Sequence, residues 1–181
     1  PLLRGERVRF EGTDLTGRGN PPAMSHRPSL LLAALAPRML RLAGTHADGT
    51  VLWLATPHAI DAHVIPVLRQ ATDAAGRPPS RVVAGLPVAV HDDLDEARAA
   101  IVDQIGFYDG LPNYRRILNL GGVASVADAA ALGDEAAVTA QLQGLLDAGA
   151  TDIWASIVGV GADPAGSIAR TEALLASLAG A

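Results

Sequence analysis

The sequence contains no cysteine, which excludes disulfides, thiolate metal sites and cysteine nucleophiles. Aromatic residues make up only 3% of it, two each of Trp, Tyr and Phe, so it gives no hint of a pocket for a large planar ligand. Charge of one sign is nowhere concentrated. The net charge is −5 at pH 7, without the basic stripe that nucleic acid needs or the polybasic patch that a membrane surface needs. The longest apolar runs fall well short of a membrane span. No charged-then-apolar leader opens the chain, which leads us to expect a cytoplasmic protein. A Ser/His/Asp triad, a G-x-S-x-G elbow, a P-loop and a G-x-G-x-x-G loop are all missing. There is no internal repeat at solenoid spacing.

What is present is aliphatic and regular. Of 181 residues, 49% are hydrophobic, enough for a sizeable core and too many for disorder. The first residue is Pro1 rather than Met, so a fragment or processed product is expected. Residues 1–28 carry Gly5, Gly12, Gly17, Gly19, Pro21, Pro22 and Pro28 and read as loop, with one short strand where Val8 and Phe10 alternate with arginines. From residue 29 onward the chain alternates apolar runs with helical patterns. Strands are expected near residues 30–34, 50–54, 82–90 and 151–157, each followed by a helix. Pro37 suits a first helical position, and Gly44 suits the C′ position of that helix. Asp48-Gly49 reads as a turn. Ile60, Val64, Val67, Leu68, Ala71 and Ala75 lie on one face of a helix opened by Pro57 and closed by Gly76. Pro87 inside the third strand implies a bulge or an end. Asp92 and Asp93, Asp134 and Asp163 are candidate N-caps. Gly106 to Gly122 reads as helical insertions. Strand–helix alternation of this kind means a parallel sheet, either open or half of a barrel; periodicity does not choose between the two.

The local sequence does choose. Leu30 to Leu40, then Leu42-Ala43-Gly44 and Ala47-Asp48-Gly49, resemble the fifth strand and helix of luciferase-like proteins, closest to the subgroup using the deazaflavin coenzyme F420. Val82 to Val90 with Asp92-Asp93, Phe107-Tyr108, Leu111 to Tyr114, Gly133-Asp134-Glu135 and Ala148 to Asp152 fit the same subgroup in order and spacing. Gly5-Glu6 to Phe10-Glu11-Gly12 resembles its segment ahead of the fifth strand. The resemblance implies an α/β fold, the C-terminal half of a (β/α)₈ TIM barrel with about four parallel strands over residues 29–181. It also implies that the first four strands, with several cofactor and substrate contacts, belong to an absent N-terminal half.

By that resemblance Ala33, Ala34, Leu35, Ala36 and Pro37 hold the cofactor phosphate, at a strand end where small residues and a helix N-terminus favour an anion. Ala36 stands where the family usually has Gly. Trp53, Leu54, Thr56 and Pro57 follow the second strand at the same rim, where lining a pocket and plain packing are equally good accounts. His91 reads as structural, since the family often has Thr or a small polar residue there. His46, His58 and His63 fit a solvated surface, and His58 and His63 are not at the spacing of a helical metal pair. Asp48 is read as structural, and Tyr108, Asn113 and Tyr114 as a lid, a subunit contact or, more simply, helix packing. The loop after Ser156 and Ile157, Gly159 to Gly161, is given a minor role. The implied function is hydride transfer between coenzyme F420, less readily FMN, and a small organic substrate. No metal and no catalytic residue is assigned, and the isolated chain is expected to be inactive. The expected partner is the missing half-barrel or a second copy. The rival readings are a non-catalytic half-barrel module and an open flavodoxin-like sheet.

Overall fold

Short aliphatic runs bounded by Gly, Pro and Asp form the strands here, and patterned segments opened by Pro or a capping side chain form the helices. A computed structural model describes residues 4–22 and 25–180 in two units, residues 1–30 and 31–181. Pro1, on which the expectation of a fragment rests, lies outside the described residues.

In the first unit the expected strand is β1 (Val8–Glu11), and it pairs antiparallel with an unforeseen second strand, β2 (Thr16–Gly19). Gly12 donates to the Leu15 carbonyl at 2.9 Å to close the turn. The glycines at positions 17 and 19, read as punctuation, are therefore strand residues.

In the second unit the four expected strands are β3 (Leu31–Ala33), β4 (Gly49–Trp53), β5 (Arg81–Val90) and β7 (Asp152–Ile157), all paired in parallel. A fifth strand that the sequence reading did not assign, β6 (Ala131–Gly133), pairs parallel with the last three residues of β5. It is only three residues long and all buried, too short for a periodicity to register. β5 carries β4 along its first half, β6 at its end and β7 opposite Val83–Val88. Pro87 does not bulge or end this strand, contrary to expectation. β4 pairing stops at Gly85 and β6 pairing starts at Val88, so the missing N–H falls in the gap between two ladders.

Leu52, Val82, Ala84, Leu86, Val88 and Val90 turn one face of the sheet to the helices, where they pack with Leu40, Leu68, Val138, Leu142 and Leu145. These helices are α1 (Pro37–His46), α3 (Ile65–Ala74) and α6 (Glu135–Asp147). Gly44 does not end α1, which runs on to His46. A Cβ on Gly44 would come within 2.8 Å of both the Leu68 carbonyl oxygen and the Ala71 methyl, so this glycine lets α1 and α3 approach. The helix expected after β4 is α2 (Pro57–Ala59), a π turn over Ile60–Val64, and then α3. Pro66 has no N–H to give to the preceding turn, and the wider turn accommodates that loss. Gly76, at φ +61°, follows as the expected stop. Asp48-Gly49 is not a free turn: Gly49 begins β4, where a Cβ would meet the Arg81 carbonyl at 2.1 Å.

The insertion after β5 comprises α4 (Leu94–Ile105), a 3₁₀ turn Gly106–Gly110, α5 (Pro112–Leu120) and a second 3₁₀ turn Val126–Ala129. Its Ile101, Leu118 and Val126 pack with Leu54 and Ala89 of the sheet side in a second apolar cluster. The chain ends on α7 (Pro164–Ala179). No helix among the described residues is long and apolar enough to cross a membrane.

Candidate functional site

Five helices follow strands of the parallel sheet, and their first turns differ in one respect. Thr56 Oγ1 accepts from the Ala59 amide at the start of α2, and Asp93 accepts from Asp95 and Glu96 at α4. Asp134 accepts from Ala137 at α6, and Asp163 from Gly166 at α7. Each side chain satisfies amides that have no partner within the helix. Helix α1 has no such device. Its N-cap is Ala36, without a side-chain cap, Pro37 follows at the first helical position, and no acidic residue lies in the first turn.

The strand-to-helix corner at residues 33–37 is therefore open. Ala33 is exposed and Ala34 is buried. The Ala34 amide donates to the Val51 carbonyl at 3.2 Å, so it belongs to the ladder and is not a donor for a ligand. The amides of Leu35 and Ala36 meet no protein acceptor among the described residues. Ala36 sits at φ −88°, ψ 145°, in the extended region open to any residue, so alanine in the glycine position carries no backbone strain. Arg116, which the sequence reading passed over, reaches across from α5 and donates to the Leu35 carbonyl at 2.8 Å. An uncapped helix N-terminus, two amides without a protein acceptor among the described residues and a guanidinium bound to the Leu35 carbonyl thus occur at one corner, a combination that favours an anion.

The end of β4 is strained. Leu54 is the one non-glycine residue with positive φ (61°) among the described residues, and it is fully buried. A leucine there costs about 1–2 kcal/mol, held in place by its amide's bond to the Gly85 carbonyl at 3.0 Å. Beside it the Trp53 indole N–H is buried without a hydrogen-bond partner. Trp53, Gly85 and Trp154 stand in one register row across β4, β5 and β7. Their side chains lie on the face away from the helix layer, and the two indoles meet over the glycine with centroids 5.3 Å apart. Trp53 then reaches Tyr108 at 6.5 Å, and Tyr108 touches both Phe107 and Tyr114 at 4.3 Å. Burial, with Tyr108 alongside, raises the Tyr114 phenol above its ordinary range, so it stays neutral. Five of the six aromatics, whose scarcity had suggested no planar pocket, are gathered into a single tract.

The other candidates are tied into the protein. Thr56, besides capping α2, donates to the Gly121 carbonyl at 3.1 Å, and Pro57 is exposed at the helix start. His91 Nε2 lies 2.9 Å from Glu96 Oε2. Asp48 pairs with Arg77 at 3.0 Å. Asp92 does not cap α4, since Asp93 does; it pairs with Arg170, which also holds Glu135. That guanidinium draws the Glu135 carboxyl down to about 2. Among the described residues no three His, Asp or Glu side chains are grouped to hold a metal ion.

A model of the luciferase-like monooxygenase family matches residues 1–180. The chain belongs to that family. The family fold in which its strands align is the (β/α)₈ barrel, of which this chain forms the C-terminal half. An F420-dependent secondary alcohol dehydrogenase, solved with an F420–acetone adduct, superposes with a TM-score of 0.70 at 17% identity, over 95% of this chain and 56% of that one. The coenzyme F420-dependent tetrahydromethanopterin reductase of Methanopyrus kandleri gives 0.63 at 20% identity, over 92% and 56%. The FMN-bound oxygenating constituent of 3,6-diketocamphane monooxygenase from Pseudomonas putida gives 0.66 at 17%, over 96% and 57%. The chain therefore spans little more than half the length of these relatives, and identities this low carry the fold alone.

Proposed function

We propose that this chain is the cofactor-phosphate-binding half of an oxidoreductase that transfers hydride between coenzyme F420, or FMN, and a small organic substrate. The observation that carries the reading is the uncapped α1 corner, the one open N-terminus among five strand-to-helix junctions. In this reading the Leu35 and Ala36 amides donate to the phosphate, and Arg116 offsets its charge from the side. Ala33 and Pro37 leave room, while Ala34 anchors the corner through Val51. Family membership and relatives bound to F420 or FMN support a cofactor of that class. When bound, the ring would accept or deliver the hydride; the protein's part is to fix one end of the molecule and exclude water around the other. A corner with only a structural role would gain stability from a cap, which argues against the non-catalytic half-barrel.

Completion of the site falls to the other half of the barrel. Within the described residues β3 pairs only with β4, and β7 only with β5, and unpaired edges invite a further chain. Light scattering of this chain alone is expected to show self-association or aggregation, and a stable particle when the missing half is supplied. A lone monomer turning over substrate would contradict the half-barrel reading. The phosphate assignment is tested in the complete barrel by titrating F420 and FMN against Ala36→Glu. A carboxylate placed against the phosphate costs several kcal/mol, so affinity should fall about a hundredfold or more. Unchanged affinity would remove the phosphate from this corner.

A further inference from the structure

Five residues along an α-helix amount to about 140° around its axis, so on a regular helix His58 and His63 would lie on different faces. Here their rings lie together, with centroids 6.1 Å apart and planes at 88°. The cause is the π turn that separates them. The Ile65 amide donates to the Ile60 carbonyl, five residues back, so residues five apart come round toward one face. Pro66, with no N–H for the preceding turn, favours that wider turn. The turn is also held from beneath. Ala59, Ile60 and Val64 are fully buried, so each histidine directly precedes a residue fixed in the core. Helix α2 packs on α5 and α6, and α3 packs on α1. The pair therefore sits among helices of this chain rather than at the sheet edges that the other half of the barrel would meet. His58 is exposed and His63 half-buried, and among the described residues neither ring has a hydrogen-bond or ion-pair partner. His91 and His26, by contrast, are paired with Glu96 and Ser25.

We propose that His58 and His63 form a two-imidazole site for a divalent transition metal of the Zn²⁺, Ni²⁺ or Cu²⁺ class. Imidazole nitrogen suits these ions, whereas Mg²⁺ and Ca²⁺ take oxygen ligands. Metal–nitrogen bonds of about 2.0 Å set two imidazole centroids about 5 Å apart on one ion. The rings therefore need to close by about 1 Å, which side-chain rotation at the exposed His58 provides. No third His, Asp or Glu side chain joins them among the described residues, so water fills the remaining positions. The ion staples α2 to the π turn and holds the irregular backbone in place. It is a structural site, on a different helix from the α1 corner.

The test adds the metal chlorides alone to the complete barrel. The ring-proton resonances lost in His58→Ala and in His63→Ala identify the two imidazoles. Zn²⁺ should shift both together, with one shared dissociation constant, and Mg²⁺ should move neither. Cu²⁺ should bind more tightly than Zn²⁺. The second imidazole closes the chelate in an intramolecular step, so either alanine variant should lose about a hundredfold in Zn²⁺ affinity. The double variant should lose little more than either single one. His46→Ala, at an exposed histidine of α1, should bind Zn²⁺ as the unsubstituted protein does. Zn²⁺ should also raise the melting temperature of the unsubstituted protein and leave that of the His58 and His63 variants where it was. Two single variants that each weaken Zn²⁺ about twofold, with losses that add in the double variant, would mean two independent surface ligands and overturn the proposal. So would Zn²⁺ shifting one ring without the other in the unsubstituted protein, a result that needs no variant to fold.

Discussion

Four of the five strand-to-helix corners are closed by a side chain, and one is not. At the corners led by Thr56, Asp93, Asp134 and Asp163, an oxygen accepts from the first turn. At the Ala36 corner the first-turn amides and the positive end of the helix dipole are left without an internal partner. The closed corners contribute to stability and the open one forgoes that contribution; in the proposed reading the cofactor phosphate would supply the missing negative charge. The opposite ends of the strands support this division. There, Arg77 pairs with Asp48 and Arg81 with Asp152, and no strained residue or unpartnered buried donor is found among the described residues.

The comparison can be broken at a closed corner. Gly121→Ala would drive a methyl to 2.5 Å from Thr56 Oγ1, displacing a hydroxyl that both caps α2 and bonds the Gly121 carbonyl. A loss of about 2–3 kcal/mol is expected by chemical denaturation, as for other overpacked sites; a smaller loss than that of Asp134→Ala would mean the Thr56 cap is dispensable. Asp134→Ala should cost about 1 kcal/mol, the usual worth of an N-cap, and leave cofactor affinity untouched. A smaller effect comes from Glu135 beside that cap. Its carboxyl lies at about 2 in the folded protein, against an ordinary 4.5, because Arg170 donates to it. A depressed carboxyl stabilises above its unfolded value and loses that contribution as pH falls through its folded value. The stability gap between the protein and Glu135→Gln should therefore be full at pH 7, shrink below pH 4.5 and close near pH 2. The pair is exposed, so the gap is small; a gap that stayed constant with pH would mean Arg170 does not bind the carboxylate.

Much of the frame was legible because it is written in local chemistry. Pro37, Pro57, Asp93, Asp134 and Asp163 announce helix starts through features confined to a few residues, and β5 is a long enough aliphatic run to announce itself. Gly44 misled because a helix stop and a close helix contact ask for the same residue; only the position of Ala71 and Leu68 tells them apart. β6 escaped because three residues carry no period. The candidate corner from Ala33 to Pro37 rests on family resemblance, whereas the arginine that touches it could not be anticipated. Arg116 lies 81 residues from Leu35 in the chain, and no spacing rule links them. The aromatic tract was hidden for the same reason. Six scattered aromatics look like scarcity until the fold brings five together, and the partnerless indole of Trp53 becomes visible only in three dimensions.

The most direct test of the open corner is Ala36→Asp, which supplies the missing cap at a backbone conformation already suited to one. Thermal melts and F420 or FMN titrations are made on the same variant in the complete barrel. The account predicts a protein more stable by about 1 kcal/mol in the absence of cofactor, with cofactor affinity lost. A variant that gained the stability and bound cofactor as tightly as before would contradict it.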